Sequence, residues 1–508
     1  MPDKLLTSGS RGVFWMGISQ VFLVLVRLLV LVVLARWITP AEFGLAGIVL
    51  LVVGFSDMIA GLGISLAIIQ RKELSDGHIV AGWGINLAMS LMFAAMLYAA
   101  SSTFAFYAGQ EELVPLFQLS VLLFPINACS AIPKALLSRE LRFKRLAVID
   151  MVAFTLGYGI VGIVLAVQNY GALSLLSASL ARAFLSMFLL WWVAPRFRFQ
   201  RVSWQVCKDL LAVGPGYGIA QVGNYLARNA DRFVVFKVFG AATLGVYTQA
   251  FMLAQHPENF LGQTIDQVLF PIMSSCQDDL QWVRRTFCRG CVLFGAFISP
   301  LTIPLITAST EVVLIALGPQ WEEAGPVFQV MAFLLVIHFV NKLNICLTRA
   351  TGAVYRRAWR IWMHLVLVLA FVWIGSSYNL IMVAIGVGVA ALINLIMMTQ
   401  LSLYLMQMSW GTFLKQFVRP GSIYIAVLAI TWYATDLTRD AIAIDAVVVA
   451  VSLLVTFGIY ASLIAFAPGL LLGDESQWML NSIWKAIPSR FRDVRLVQQF
   501  LHQARVAS

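Results

Sequence analysis

The segment GNYLARNADRFVVFK, residues 223–237, lies between two strongly apolar stretches and places Arg228, Asp231 and Arg232 where a buried or membrane helix would be apolar. The 508-residue chain around it is 60% hydrophobic and only 12% charged, whereas soluble domains carry about 25% charged residues. Apolar runs of about 20 residues, each long enough to cross a bilayer core, recur to near the end of the chain. This pattern predicts an all-α polytopic membrane protein, because a β-barrel would instead alternate apolar and polar residues along strands of about 10 residues.

The apolar runs predict about 14 transmembrane helices. They lie near residues 12–35, 41–69, 79–103, 112–137, 146–168, 171–194, 209–235, 242–270, 287–307, 324–348, 358–375, 380–405, 421–437 and 443–466.

Basic residues are distributed unevenly among the loops between these spans. Most of the 35 Lys and Arg lie on the side of the two termini, which share a side because the number of spans is even. The opposite loops hold only Arg36, Lys237 and Arg439. The positive-inside rule therefore predicts cytoplasmic termini. Since the net charge of +11 is spread over many short loops, it indicates topology, and we expect no nucleic-acid partner.

Five cationic residues fall inside predicted spans, namely Arg27, Arg182, Arg228, Arg232 and Lys342. On insertion scales a cation at mid-bilayer costs about 2.5–3.5 kcal/mol, so these side chains are expected to face water, a partner or a ligand. A structural alternative stays open. In it, Arg228 pairs with Asp231 three residues later, and Arg232 extends to the membrane surface.

Polar residues recur on single faces of several predicted helices. In the seventh span Gln221, Asn224 and Arg228 follow one another at steps of three and four, and in the eighth Gln255 and Asn259 do the same. Residues at these spacings share a helix face. Polar faces on several helices predict a hydrated central cavity.

An internal repeat appears when the chain is shifted by 201 residues. The matched pairs include Gln20 with Gln221, Arg27 with Arg228, Ala41 with Ala242, Gly44 with Gly245 and, with the charge retained, Asp57 with Glu258. Because six spans separate the copies, both have the same orientation, and an axis along the membrane normal would relate them. Transporters with a cavity between two halves are built in this way. The repeat thus predicts two pseudo-symmetric halves of a carrier that works by alternating access.

Five segments resemble Wzx-type flippases of the polysaccharide transporter family, in the branch of colanic-acid and xanthan type. The segments are ARWITPAEFGLAGI (35–48), GLGISLAIIQRKELS (61–75), PKALLSRELRFKRLAVID (133–150), DRFVVFKVFGAATLGVYTQAF (231–251) and QVLFPIMSSCQDD (267–279). They cover much of the first eight spans, and the later spans fit by number and hydropathy. The superfamily, MOP, also contains MATE-type multidrug exporters and lipid II flippases.

That resemblance implies a MATE-like architecture of two pseudo-symmetric six-helix lobes with two additional C-terminal helices. The expected parts are an N-lobe of spans 1–6 in residues 1–200, a C-lobe of spans 7–12 in 201–408, spans 13–14 in 409–470 and a cytoplasmic tail in 471–508. It further implies a flippase of the bacterial inner membrane and not an enzyme. The expected substrate is an undecaprenyl-pyrophosphate-linked oligosaccharide repeat unit for exopolysaccharide, capsule or O-antigen synthesis, bound among membrane lipids.

The basic residues inside the spans match such an anionic substrate in chemistry, because guanidinium groups bind phosphate and carboxylate through paired hydrogen bonds. The residues predicted to bind the anionic head group or an acidic sugar are Arg27, Arg182, Arg228, Arg232 and Lys342. The residues predicted to bond to sugar hydroxyls are Gln20, Gln221, Asn224, Gln255 and Asn259.

Asp57 and Glu258 are matched by the repeat and lie near mid-membrane in their predicted spans. A carboxyl group in such a site can exchange a proton near neutral pH, so proton- or sodium-coupled antiport is one hypothesis. In the alternative, Asp57 pairs with Arg27 and Glu258 with Arg228, and each pair holds its lobe together.

The remaining motifs predict no catalytic centre, metal site or cofactor. The chain contains no phosphate-binding loop and no nucleophile elbow. Residues 474–508 have the pattern of a basic amphipathic helix on the inner membrane surface, and binding of a polysaccharide polymerase or another biosynthetic protein is the weaker alternative. The rival functions are a MATE-type multidrug or cation antiporter of the same fold and a glycan polymerase or ligase. Buried cations disfavour the first, and short outer loops disfavour the second.

Overall fold

A computed structural model describes residues 22–60, 63–71, 73–195, 204–275, 279–442 and 444–466. All regular structure in these residues is helical. The first half contains α1 (22–37), α2 (Pro40–Ala60), α3 (Ile64–Gln70), α4 (Asp76–Ala108), α5 (Leu113–Ser120), α6 (Leu123–Arg139), α7 (Phe143–Val152), a π-helix (Ala153–Ile160), α8 (Val161–Val167) and α9 (Ala172–Val193). The second half contains α10 (Trp204–Ser275), α11 (Leu280–Thr307), α12 (Ser309–Leu317), a 3₁₀ turn (Pro319–Trp321), α13 (Ala324–Ala350), α14 (Val354–Ser376), α15 (Leu380–Met406), α16 (Trp410–Ala441) and α17 (Asp445–Phe466).

Twelve helices in the described ranges are long and apolar enough to cross a membrane. The protein is therefore a multi-pass, all-α membrane protein, as predicted. The number of 14 is approximate. The predicted first span lies partly outside the described residues, and the seventh and eighth together correspond to one candidate, Val222–Gln255.

The seventh and eighth predicted spans are joined without a loop. Within α10 the only residue with non-helical dihedrals is Gly240, at φ 86° and ψ −175°. This positive φ is readily accessible only to glycine. Across the break, the Tyr247 hydroxyl donates a 2.7 Å hydrogen bond to Asp231 Oδ2, so the two arms of α10 are held together by a buried polar contact.

Three other predicted spans are interrupted. The fourth divides into α5 and α6 at a turn over residues 121–122. The second divides into α2 and α3, and Gly63 before α3 has φ 70°, which suits a residue without a Cβ. The fifth, predicted as a continuous helix, contains the eight-residue π-helix Ala153–Ile160. Hydropathy cannot show a change of helical pitch, because that change depends on packing against neighbouring helices.

The described helices belong to two compact units. One comprises residues 1–249 and 361–383, and the other 250–360 and 384–508. The predicted lobes 1–200 and 201–408 and the division after 408 stay predictions. The predicted tail, 471–508, lies outside the described residues.

Glycines bring the two copies of the repeat into backbone contact within the first unit. A Cβ on Gly44 of α2 would lie 1.8 Å from the Ala241 carbonyl oxygen, and one on Gly245 would lie 1.9 Å from that of Pro40. The repeat relates these two contacts to each other. With the shift of 201 residues, Pro40 matches Ala241 and Gly44 matches Gly245, so each contact corresponds to the other. The crossing therefore has the local symmetry of the repeat.

Polar side chains link α11, α16 and α17 in the second unit. Thr307 and Ser452 hydroxyls lie 2.7 Å apart, and Thr431 and Thr456 hydroxyls 3.1 Å apart, all four of them buried. In an apolar environment such groups need partners inside the protein, so these pairs fix how the helices face each other.

Arg439 completes this connection at the end of α16. Its Nη2 donates to Glu311 Oε2 at 3.0 Å and to the Thr307 carbonyl at 2.6 Å, and its Nε donates to Glu311 Oε1 at 2.5 Å. The Glu311 side chain is only 9% exposed, whereas Asp436, a second partner of Arg439, is 56% exposed.

We expect Arg439→Gln to destabilise the second unit by about 1–3 kcal/mol, because the buried Glu311 carboxylate would lose its bidentate partner. The fall in thermal unfolding midpoint of the purified protein measures the effect. Asp436→Asn is the matched control and should change the midpoint little, since that carboxylate is exposed. The double variant Glu311→Gln with Arg439→Gln should recover part of the loss, and a double variant no more stable than Arg439→Gln would contradict this account.

Candidate anion-binding site

The π-helix, α1 and α9 meet at a set of glycines in the first unit. A Cβ on Gly157 would lie 2.5 Å from Arg182 Cα, and one on Gly159 would lie 3.1 Å from Val30 Cγ2. Small residues allow membrane helices to approach this closely. The π-helix is consequently packed between the helix that carries Arg27 and the helix that carries Arg182.

Arg27 and Arg182 are brought to the same aromatic ring by this packing. Each Cζ lies 5.4 Å from the centroid of the buried Phe154 ring. Phe154 in turn stacks on Tyr158 one turn later, with centroids 5.2 Å apart and an angle of 19° between the rings. Cation–π contacts of this kind stabilise a guanidinium by about 0.5–2 kcal/mol, depending on solvation, and they leave its N–H groups available for hydrogen bonds.

The charges around the ring do not balance. Arg27 experiences repulsion from Arg182 and attraction from Asp150 on α7. Among the described residues, these two guanidinium groups and one carboxylate leave an excess positive charge inside the span. A site with this composition favours an anion, because membrane-embedded charges require partners.

Arg228 and Arg232 have different surroundings, although both were predicted to bind the head group. Arg228, the repeat mate of Arg27, is exposed, and no described side chain forms an ion pair or hydrogen bond with it. Arg232 is buried, donates a 3.1 Å hydrogen bond to Asn229 Oδ1 and acts electrostatically on Asp231. The open alternative of an Arg228–Asp231 pair is not formed.

The remaining predicted site residues that the structure describes fall in both units. Lys342 is half-buried on α13 in the second unit, as is Gln255 on α10, whereas Asn224 is half-buried in the first unit. The side chains of Gln20, Gln221, Glu258 and Asn259 lie outside the described residues.

Asp57, a predicted coupling residue, lies in a polar site on α2. Asn127 Nδ2 of α6 donates a hydrogen bond to Asp57 Oδ2, and Asp57 acts electrostatically on Tyr225. The Tyr225 hydroxyl donates to the Leu51 carbonyl at 2.7 Å. The alternative pairing of Asp57 with Arg27 is not formed, since Arg27 interacts with Asp150. The carboxyl group is thus bound to a neutral amide.

Sequence reasoning missed four contributors, namely Phe154, Asp150, Asn127 and Tyr247. Asp150 offered a usable signal, because it is an acid inside the predicted fifth span. Gly157, Gly159 and Gly162 offered another, since closely spaced small residues indicate a helix contact. Phe154 is one of 34 phenylalanines, and nothing in its local sequence distinguishes it.

A family model described as "Polysaccharide biosynthesis protein" matches residues 33–326, which is more than half of the chain. The succinoglycan biosynthesis transport protein ExoT of Rhizobium meliloti (strain 1021) is 27% identical over 328 residues, 64% of this chain and 65% of that protein. The lipopolysaccharide biosynthesis protein WzxC of Escherichia coli (strain K12) is 25% identical over 345 residues, 65% of this chain and 67% of that protein. In these alignments the chain spans about two thirds of the relatives' length. The resemblance predicted from the five segments is confirmed.

A solved structure of the lipid II flippase MurJ in an inward closed conformation has a similar fold. Its TM-score is 0.72 at 14% sequence identity, and the superposition covers 90% of this chain and 98% of that one. At this identity the similarity concerns the fold alone, and it agrees with the polytopic helical architecture described above.

Proposed function

Because the chain belongs to the family of polysaccharide biosynthesis proteins, we propose that it is a flippase for undecaprenyl-pyrophosphate-linked oligosaccharide repeat units. It moves them across the bacterial inner membrane by alternating access, for the synthesis of exopolysaccharide, capsule or O-antigen. Relatives named as succinoglycan transport and lipopolysaccharide biosynthesis proteins support this class of substrate. The proposed activity is transport and includes no catalytic step.

The observation that carries the proposal is the placement of Arg27 and Arg182 on one Phe154 ring inside the spans. A pyrophosphate carries several negative oxygens, and two guanidinium groups offer planar donors that match them. The aromatic ring holds both cations while their N–H groups remain available, and the excess positive charge supplies the attraction. The head group would bind here while the lipid tail stays in the bilayer.

Other predicted residues extend this proposal. Exposed Arg228 is available to the same anion, and Asn224 and Gln255 would bond to sugar hydroxyls, together with Gln20, Gln221 and Asn259. Lys342 on α13 is a further proposed ligand for an anionic group. Arg232 would position its neighbours through Asn229 and Asp231.

Coupling and orientation complete the proposal. Asp57 is a candidate for proton or sodium coupling, because its carboxyl group is bound to the neutral Asn127 amide and is not neutralised by an arginine. Glu258 is its proposed counterpart in the repeat. Both termini would lie in the cytoplasm, as the distribution of Lys and Arg predicts.

The test is to delete the gene and determine which membrane leaflet holds the lipid-linked repeat units. Spheroplasts are treated with a glycosidase that cannot enter, and cleaved and protected repeat units are quantified. Loss of a flippase should leave protected repeat units on the inner leaflet, and the wild-type gene should restore cleavage. Accumulation of cleavable single repeat units would instead indicate a polymerase. Unchanged repeat units with increased retention of cationic dyes would indicate the multidrug exporter, and either result would contradict the proposal.

A further inference from the structure

A groove of about 640 Å³ lies between α7 and α9, on the surface of the first unit. Its apolar lining includes Ile149, Leu189 and Val193, and Ile149 belongs to a buried core cluster against which the other two pack. Val148 and Trp192 form its more open sides, at 39% and 76% exposure. Lys144 and Arg145 are the basic residues that line it.

The position of the groove along the helices follows from the chain path. The span Phe143–Val167 crosses the membrane in one direction and Ala172–Val193 returns. The beginning of α7 and the end of α9 are therefore at the same end of this hairpin. Lys144 and Arg145 lie at that end, where lipid head groups are found, while Val148 and Ile149 lie about one turn further along the span.

Nearby basic residues are already engaged by the protein. Arg139 donates to the Ile68 carbonyl at 2.8 Å, and Arg142 Nε lies 2.6 Å from Glu140 Oε2. By contrast, the Arg145 guanidinium is exposed and has no hydrogen bond or ion pair with any described side chain. The charge of Arg145 is thus directed to what lies outside the protein, and the exposed Lys144 side chain adds a second positive charge to the lining of the groove.

We propose that this groove is a binding site for an anionic phospholipid, with its phosphate at Lys144 and Arg145 and one acyl chain along Val148, Ile149 and Leu189. Basic pockets between transmembrane helices bind anionic head groups. Tryptophan at a span end is typical of the head-group level, and Trp192 has that position. The volume lies within the range of about 300–1,000 Å³ that is usual for small-molecule sites, which suits a head group with the first part of one chain. Neither Lys144 nor Arg145 belongs to the proposed flipping site, so the phospholipid proposal can be tested independently of the proposed flippase activity.

The test measures lipid binding by the purified full-length protein in detergent. Phosphatidylglycerol is titrated, and the thermal unfolding midpoint gives an apparent affinity, with phosphatidylcholine as the zwitterionic comparison. Lys144→Gln with Arg145→Gln should weaken the apparent affinity for phosphatidylglycerol at least about tenfold, because each basic residue near a lipid surface contributes measurably to binding. Arg142→Gln is the matched control and should keep the wild-type affinity, since Arg142 is exposed but does not line the groove.

A second variant separates the acyl chain from the head group. Val148→Trp fills the groove and retains both charges, and it should also weaken phosphatidylglycerol binding. Equal stabilisation by phosphatidylcholine, or full phosphatidylglycerol binding by the double Gln variant, would overturn the proposal. So would an equal effect of inorganic phosphate alone. Tighter binding of undecaprenyl phosphate that the double Gln variant abolishes would assign the groove to the substrate's lipid and overturn it as well.

Discussion

Arg27→Gln should reduce flipping of the lipid-linked repeat unit by about 10- to 100-fold at equal protein level. Hydrogen bonds between a guanidinium and an anion contribute about 1.5–3 kcal/mol, and 1.4 kcal/mol corresponds to a factor of ten. Arg182→Gln should have an effect of the same order, because both groups contact the same Phe154 ring. Arg27→Lys should keep more activity than Arg27→Gln, since the charge stays and only the planar pair of donors is lost. The leaflet assay on complemented deletion cells measures all three.

Arg36→Gln is the matched control for this series. Arg36 lies on α1 like Arg27, but it is exposed, and no described side chain pairs with it. It should therefore complement like the wild type. If Arg27→Gln and Arg182→Gln also complement fully, the two arginines do not bind the transported anion. If they fail because the protein does not reach the membrane, Arg27→Lys decides the question, since it preserves the cation–π contact with Phe154.

The fold class could be predicted from the sequence because membrane insertion depends on hydropathy over about 20 residues, which is a local property. Each long apolar run in the described part of the chain is mainly helical. The errors lie at breaks. Gly240 alone breaks the helix between two predicted spans, and a break at one residue has no compositional signature. The π-helix at Ala153–Ile160 packs against α1 and α9, and the fifth span read alone contains no information on these contacts.

The candidate site could be predicted less well. Arg27 and Arg182 were identifiable because an arginine inside a span is costly and needs a reason. The contact of both arginines with Phe154 could not be predicted, because the ring lies on a third helix and reaches them only in the folded protein. The internal repeat equated Arg27 with Arg228, yet one contacts an aromatic ring and the other is exposed. Sequence symmetry does not determine which local neighbours each copy acquires.

The two repeat copies contact each other at Gly44. We therefore expect Gly44→Ala to lower the thermal unfolding midpoint by several degrees. The new Cβ would lie 1.8 Å from the Ala241 carbonyl oxygen, so the two backbones must separate. Inserting a carbon atom into a closely packed contact costs about 1–3 kcal/mol or more. Gly245→Ala should cost about as much, because its Cβ meets the Pro40 carbonyl oxygen at 1.9 Å.

Gly47→Ala provides the control on the same helix. No atom lies within 4 Å of a Cβ at Gly47, and alanine favours a helix over glycine by about 1 kcal/mol, so the midpoint should stay or rise. The double variant of Gly44 and Gly245 should be less destabilised than the sum of the single variants, because the first substitution already separates the helices and the second meets a wider gap. Strict additivity, or a Gly44→Ala protein as stable as Gly47→Ala, would show that the two repeat copies do not cross through these glycines.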